Sequence, residues 1–125
     1  MEQVELIHKK LVYQVVGCAM KVHRELGYGF LEKVYENSLM HLFEKENIDA
    51  KQQYPVPVYF EGKMVGEYFA DILIEGKILL ELKTVEKIAN VHYAQLLNYL
   101  KATGIRLGLL LNFGPRKLEY ERLVK

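Results

Sequence analysis

Apolar residues in the first third of the chain recur every three or four positions, which is the period of one face of an α-helix. This spacing predicts a long amphipathic helix over about residues 3–26, and Gly27 stands where a left-handed C-terminal cap is expected. A second helix is predicted to begin near Phe30 or Leu31 and to end at Asn47. The apolar positions of the first helix are Val4, Ile7, Leu11, Val15, Cys18, Val22 and Leu26. Those of the second helix are Leu31, Val34, Tyr35, Leu39, Leu42 and Phe43.

From Ala50 the period of apolar residues changes to two, which indicates β-strands. Proline cannot donate to a strand ladder, so the segment Pro55–Pro57 is expected at a sheet edge or at the start of a strand. Turn residues at Glu61–Lys63 and at Gly76 divide this part of the chain into short strands. The predicted strands are Val58–Phe60, Met64–Gly66, Phe69–Glu75 and Lys77–Lys83.

The C-terminal part of the chain returns to a helical pattern and then becomes strongly apolar. Asn90 is a suitable N-cap for a third helix that runs through Lys101 and ends at Gly104. The segment Ile105–Phe113 is nearly all apolar, as expected for a buried strand, and Lys117–Val124 is a candidate last strand. This order of elements predicts an α/β (α+β) fold in which helices flank a central mixed β-sheet.

Length and composition indicate one domain, spanning residues 1–125. Half of the residues are hydrophobic and 26% are charged, which is typical of a globular protein. The N-terminus lacks the basic start and apolar run of a signal peptide, and no apolar stretch approaches the roughly 20 residues of a membrane span. The single cysteine, Cys18, excludes an intramolecular disulfide. We therefore expect a cytoplasmic protein with no membrane partner.

The strands on either side of Gly76 carry the main candidate chemistry. With Gly76 at the centre of a three-residue turn, Asp71 faces Glu81 across the hairpin and Lys83 projects from the same side. The opposite side is entirely apolar, as a buried face requires, and a slip of one residue would destroy that separation. The apolar pairs are Ile74 with Ile78, Ile72 with Leu80, and Ala70 with Leu82.

Two acidic side chains directly opposite each other destabilise a sheet, so their presence suggests that they bind a cation. Carboxylate oxygens suit Mg²⁺ or Mn²⁺, with water and a substrate phosphate completing the coordination sphere. The ammonium group of Lys83 is then placed to orient an attacking water or to neutralise charge on the phosphate. The alternative is a half-exposed strand on which Asp71, Glu81 and Lys83 are solvated. Spacing alone leaves both interpretations open.

The acidic pair and the lysine also carry a resemblance to a known family. Asp71, followed on the next strand by Glu81-Leu82-Lys83, resembles the active-site signature of the PD-(D/E)XK nuclease superfamily. Ala70 stands where the signature has proline, a position that is permissive among relatives. The resemblance implies a restriction-endonuclease-like core, with Asp71 and Glu81 as ligands of Mg²⁺ or Mn²⁺ and Lys83 as the catalytic lysine.

Two flanking segments extend the resemblance over about residues 12–115. The segment Gly29–Tyr35 is similar to the signature of the GxxExxY family, a small branch of that superfamily. The segment His92–Lys101 is similar to the helix that follows the lysine strand in that family. Within it, Gln95 and Tyr99 match the Q-x-x-x-Y spacing of RecB-type exonucleases. Each motif alone is weak, and their common order and spacing make the resemblance more specific.

The resemblance adds three residues to the candidate site. Glu32 would be the additional acidic residue of many such sites, although a glutamate in the first turn of a helix is also stabilised by the helix dipole without any function. Gln95 would contact a metal-bound water or a phosphate, and Tyr99 a phosphate or a base. These two residues share a helix face, and a polar helix shoulder is the alternative interpretation.

These residues lead to two functional hypotheses. The first is a metal-dependent nuclease that hydrolyses phosphodiester bonds in nucleic acid, with DNA as the favoured substrate. The alternative is a non-catalytic module on the same fold that binds nucleic acid or a protein; the net charge of +1 and the small size favour it. The presence of Asp71, Glu81 and Lys83 together favours the nuclease. The small size also favours a homodimer that embraces its substrate.

Overall fold

The computed structural model describes residues 7–125, which form three helices and one five-stranded sheet. The elements are α1 (Lys9–Leu26), α2 (Glu32–Lys45), β1 (Ala50–Phe60), β2 (Lys63–Ile74), β3 (Ile78–Lys83), α3 (Asn90–Thr103), β4 (Leu107–Phe113) and β5 (Leu118–Val124). The strands lie side by side in chain order, with β3 and β4 parallel and the other neighbours antiparallel. The predicted mixed sheet flanked by helices is confirmed. No helix within residues 7–125 is long and apolar enough to cross a membrane.

Two apolar layers hold the helices to the sheet. One layer contains side chains of α1 and α2, and the other contains side chains of α3. Every residue of β4 is buried because the strand contributes to both layers, which confirms the prediction of a buried strand. In β4, Gly108 allows α3 to approach closely, since a Cβ atom there would lie 2.9 Å from the Leu96 side chain.

The start of α1 differs from the sequence prediction. The helix begins at Lys9, so the predicted start at residue 3 is wrong for Ile7 and His8, which form a turn. His8 has a positive φ of 55°, which interrupts the helix although the apolar period continues through Ile7. The predicted apolar position Val4 lies outside the described residues.

The connection between α1 and α2 also departs from the prediction. Gly27 has the positive φ expected of a glycine cap, 75°, but its ψ of −171° is not that of a left-handed helix. The predicted left-handed cap is therefore wrong in ψ. α2 begins at Glu32 and ends at Lys45, before the predicted end at Asn47.

The start of α3 corrects the predicted cap. Asn90 is the first helical residue, and Ala89 holds the N-cap position. The Ala89 amide donates to Nδ1 of His92 at 3.0 Å, so His92 takes the acceptor role that the third helical residue has in a capping box. The helix runs to Thr103, and Gly104 ends it, as predicted. Gly104 has the left-handed conformation, with φ 78°.

The first two strands form one long hairpin. The segments predicted as separate strands, Met64–Gly66 and Phe69–Glu75, belong to β2 apart from Glu75, which lies in the turn. Glu67 and Tyr68 between the two segments remain paired with β1. No turn residue lies between the two segments in the sequence, and β2 accordingly continues through both without interruption. The segment Pro55–Pro57 lies in β1, which is an edge strand as predicted.

The register between β2 and β3 is the predicted one, but the alternation of faces breaks at Asp71. The ladder pairs are Ile72 with Leu80, Leu73 with Leu79, and Ile74 with Ile78. Ala70 packs in the α3 layer while Ile72 packs in the other, so the prediction that these two share a face is wrong. Between the β1–β2 pairs Gln52–Ile72 and Tyr54–Ala70, neither Gln53 nor Asp71 is paired, and Gln53 has a φ of 53°. The ladder is therefore irregular at this level.

We expect Gly108→Ala to destabilise the protein by about 1–3 kcal/mol, because the added methyl group overpacks the contact between β4 and Leu96. Urea titration measures the free energy of unfolding. Gly66→Ala is the matched control, since a Cβ atom at this β2 glycine meets only the Tyr68 ring, at 3.9 Å. Equal stability of the two variants would contradict close packing of α3 on β4.

Candidate active site

The candidate site lies where the ladder between β2 and β3 ends. Beyond the last ladder pair, which is Ile72 with Leu80, side chains join the two strands. The Asp71 amide donates to Oε2 of Glu81 at 2.9 Å, and the Leu82 amide donates to Oδ2 of Asp71 at 2.8 Å. Each carboxylate therefore binds the backbone of the opposite strand. The predicted arrangement of Asp71 beside Glu81 is confirmed.

Both carboxylates lie in surroundings that resist ionisation. Glu81 is 4% exposed, and burial, followed by the charge of Asp71, raises its pKa to about 8. The Asp71 amide and the Lys83 ammonium group act in the opposite direction. Burial also raises the pKa of Asp71; the Leu82 amide opposes that rise, and the charge of Glu36 adds to it. Two full negative charges are therefore unfavourable here without a cation.

The oxygen atoms of this pair fit a small divalent cation. The amide hydrogen bonds occupy Oδ2 of Asp71 and Oε2 of Glu81, and no group among residues 7–125 donates to the second oxygen of either. Mg²⁺ commonly takes one or two protein carboxylates and completes its coordination with water and phosphate oxygens. Within the described part of the chain no set of three or more His, Cys, Asp or Glu side chains is grouped so that it could hold a metal. The pair would thus supply two ligands.

Lys83 contacts α3. Its Nζ donates to Oε1 of Gln95 at 3.2 Å, and Nε2 of Gln95 donates to the Tyr99 hydroxyl at 3.2 Å. Tyr99 is buried, and its pKa is raised first by burial and then by the charge of Glu81. The structure therefore brings the predicted face of α3 to Lys83.

Glu32 approaches the site from the start of α2. Its side chain is half-buried, and burial is the main cause of its raised pKa. The charge of Lys83 lowers that pKa, and the charge of Asp71 raises it, so the Glu32 carboxylate belongs to the same electrostatic cluster. Its place in the first turn is also favourable for the helix dipole.

Sequence reasoning missed Glu36, a charged residue that is only 3% exposed. Its Oε2 accepts from Nζ of Lys33 at 3.1 Å and from Nε2 of Gln52 at 2.7 Å. Nε2 of Gln53 also donates to it at 3.2 Å, and its charge raises the pKa of Asp71. The buried stripe of α2 thus includes an acidic residue. Listing only the apolar positions of a helix overlooks such a residue, although a charged residue at a buried position is itself a sign of function.

Tyr35 fixes the turn that presents Glu32. Its hydroxyl donates to the Gly27 carbonyl at 2.5 Å and accepts from the Phe30 amide at 3.3 Å. Its buried ring stacks on Phe113 of β4, with ring centroids 4.6 Å apart. The turn between α1 and α2 is thereby attached to the sheet, which holds the first turn of α2 beside the site.

Comparisons with known proteins bear on the family and the fold. A family model of the PD-(D/E)XK nuclease superfamily matches residues 9–123, whereas no curated protein matches the chain. The crystal structure of SSO0001 is similar with a TM-score of 0.54 and 21% identity, over 74% of this chain and 50% of that one. The crystal structure of an alkaline exonuclease (LHK-Exo) from Laribacter hongkongensis has a TM-score of 0.52 and 12% identity, over 69% of this chain and 52% of that one. The match thus spans about half the length of each, and this likeness is one of fold.

The raised pKa of Glu81 predicts that the metal-free protein becomes less stable as pH rises. Between the ordinary value of 4.5 and the folded value of about 8, the folded state binds the proton more tightly than the unfolded state. This contribution is fully present below about pH 4.5 and is lost as pH rises through about 8. Urea titration in EDTA should therefore give a lower free energy of unfolding at about pH 8 than at about pH 5.

Glu81→Gln is the control for that pH dependence, because its amide oxygen still accepts from the Asp71 amide but its side chain does not ionise. We expect this variant to lose most of the decline and to exceed wild type at about pH 8 by roughly 0.5–1 kcal/mol. If wild type and Glu81→Gln show the same profile, the decline does not come from the acidic pair.

Proposed function

Because the chain belongs to the PD-(D/E)XK nuclease superfamily, we propose that it is a metal-dependent nuclease that hydrolyses phosphodiester bonds in DNA. One observation carries the proposal. Asp71 and Glu81 are held side by side by backbone amides of opposite strands, and Lys83 extends from the same end of β3. Two convergent carboxylates next to a cationic group suit the hydrolysis of a phosphodiester.

In this proposal Asp71 and Glu81 hold Mg²⁺ or Mn²⁺. The cation, when bound, supplies Lewis acidity that makes water a better nucleophile and draws charge from the scissile phosphate. The amide hydrogen bonds keep both carboxylates turned toward each other. Burial of Glu81 limits the water that competes for the site and strengthens its electrostatic interactions.

We propose that Lys83 stabilises the negative charge that develops on the phosphate during hydrolysis. Gln95 accepts from the Lys83 ammonium group and so directs it, while its own amide nitrogen is fixed on the Tyr99 hydroxyl. Tyr99 therefore positions Gln95, and we propose that its hydroxyl serves a phosphate or a base. Glu32 is proposed as the additional acidic residue of the site, since its carboxylate shares the field of Lys83 and Asp71.

Three finer assignments belong to the same proposal. The spacing and contacts of Gly29, Glu32 and Tyr35 support the GxxExxY branch, because Gly29 makes the turn at φ 120° and Tyr35 anchors it. The single cysteine, Cys18, is buried and free, which supports a cytoplasmic protein. The small size of the domain supports a homodimer.

A non-catalytic binding module is the second candidate, and two observations favour it. The net charge of +1 provides little general attraction for nucleic acid. Within residues 7–125, two carboxylates rather than three or more come together as a ligand set. Such a module would keep the fold and the substrate surface without turnover.

Cleavage assays test the nuclease directly. We expect cleavage of labelled single- or double-stranded DNA in Mg²⁺ or Mn²⁺ and none in EDTA. Lys83→Met should lower the rate by roughly 10²–10³-fold, because it removes the group that stabilises charge on the phosphate. Lys87→Met is the matched control, since Lys87 is an exposed lysine on the loop after β3. Cleavage that persists in EDTA, or equal rates for the two variants, would contradict the proposed roles.

Asp71→Asn tests the cation site apart from turnover. Its amide oxygen still accepts from Leu82, so the metal-free variant should equal wild type in stability or exceed it by about 0.5–1 kcal/mol. Mn²⁺ at 100 times its Kd should stabilise wild type by about 2.7 kcal/mol and leave the variant unchanged. Thermal melts with and without Mn²⁺ measure both effects. A wild-type protein that millimolar Mn²⁺ does not stabilise would favour the binding module.

A further inference from the structure

A groove of about 780 Å³ opens beside the candidate active site, between the β1–β2 hairpin and α3. The hairpin continues past the level at which β2 leaves the β3 ladder, so its outer half stands against α3. Gln95 and Tyr99 line the groove and also form the hydrogen-bonded chain to Lys83. The groove and the acidic site therefore share a wall. The lining of the groove includes Tyr59, Tyr68, Gln95, Asn98, Tyr99 and Lys101.

The hairpin side of the groove presents aromatic rings to solvent. Tyr59 is 62% exposed and Tyr68 is 54% exposed. The Tyr68 ring also lies 5.9 Å from the ring of Tyr99, at an interplanar angle of 38°. On the other side α3 adds the amide of Asn98, and Lys101 is the one charged residue among the described lining residues. The groove thus combines π-faces, an amide and a cation, and its described lining includes no carboxylate.

We propose that this groove binds the unpaired bases of single-stranded DNA, stacked on the hairpin tyrosines Tyr59 and Tyr68. The inference rests on the proposed function, because it assigns the strand that continues from the phosphate at Asp71 and Glu81. Every base has a π-face, so tyrosine rings bind a single strand without a sequence preference. Amide groups such as that of Asn98 hydrogen-bond to base edges that pairing no longer occupies.

Charge argues against a duplex as the occupant. A double helix keeps its base faces stacked, so its binding depends on rows of Lys and Arg that face its phosphates. Base stacking adds to the affinity for a single strand, which suits a lining whose one described cation is Lys101. A volume of about 780 Å³ is in the range of sites that enclose a compact ligand, which suits extruded bases better than a helix.

Continuity with the acidic site argues against a protein as the occupant. A partner protein or a second copy seated in the groove would cover Gln95 and Tyr99, which are proposed to serve the substrate. A strand of DNA that passes from the groove to Lys83 uses the same wall without closing the site.

Fluorescence anisotropy tests the inference with the full chain in EDTA, where no metal-dependent cleavage occurs. The probes are a labelled oligothymidylate of about 12 nucleotides, a base-free deoxyribose-phosphate strand of the same length, and a duplex of the same length. We expect wild type to bind oligothymidylate roughly five- to 100-fold more tightly than the base-free strand. We also expect the duplex to bind more weakly than oligothymidylate.

The double variant Tyr59→Leu/Tyr68→Leu keeps apolar side chains on the hairpin and removes their π-faces. We expect it to lose most of the advantage of oligothymidylate over the base-free strand and to bind the base-free strand as wild type does. Tyr13→Leu is the matched control, since Tyr13 is 81% exposed on α1, in the opposite layer of the fold. It should keep wild-type affinity for every probe.

Three results would overturn the inference: equal wild-type affinity for the two single strands, tighter binding of the duplex, or an unchanged preference for bases in the double variant. The comparison of oligothymidylate with the base-free strand uses wild type alone, so it tests the inference even if the double variant fails to fold. Binding and cleavage can fail separately. A protein that stacks bases through Tyr59 and Tyr68 but cleaves nothing keeps this inference and loses the nuclease. A protein that cleaves DNA but binds the two single strands equally keeps the nuclease and loses this inference.

Discussion

Two crossed hydrogen bonds, from the Asp71 amide to the Glu81 carboxylate and from the Leu82 amide to the Asp71 carboxylate, are the constraint on which the rest of the site depends. The amides of Asp71 and Leu82 belong to none of the β2–β3 ladder pairs. Instead, those amides donate hydrogen bonds to the two carboxylates. These hydrogen bonds stabilise the carboxylates of Asp71 and Glu81 side by side in a partly buried site although their charges repel each other. Past this point β2 follows β1 and β3 follows β4. At this end of β3, α2 contributes Glu32 and α3 contributes Gln95.

The charges around the pair moderate its repulsion without removing it. Lys83 favours the ionised forms of Glu32, Asp71 and Glu81, whereas Glu36 acts against the ionised form of Asp71. Glu36 itself is held by Lys33 and by two glutamine amides. Such an arrangement reduces stability locally, and the two apolar layers of the sheet must offset it. Proteins commonly give up stability in this way where function requires unfavourable charges.

The centre of the site could be predicted from sequence because a strand has a side-chain period of two. Only one hairpin register puts Ile72, Ile74 and their partners on a buried face, and that register sets Asp71 beside Glu81. The period of two failed at Ala70, because the crossed hydrogen bonds interrupt the alternation of side chains between the two faces of β2. The pattern of polar and apolar residues in the sequence does not reveal such hydrogen bonds. Glu36 and the contact of Lys83 with Gln95 arise from packing between separate elements, which local spacing does not encode.

The two prolines of β1 have a consequence for the surface that the hairpin exposes. Tyr59 and Phe60 are exposed aromatic residues near the end of an edge strand, a composition that invites other chains to add strands and aggregate. Pro55 and Pro57 have no N–H group, and a ladder accommodates them only where that position faces away from the neighbouring strand. The outer rim of β1 therefore lacks two donors that an added strand would need. The hairpin can display aromatic rings without serving as a template for fibre growth.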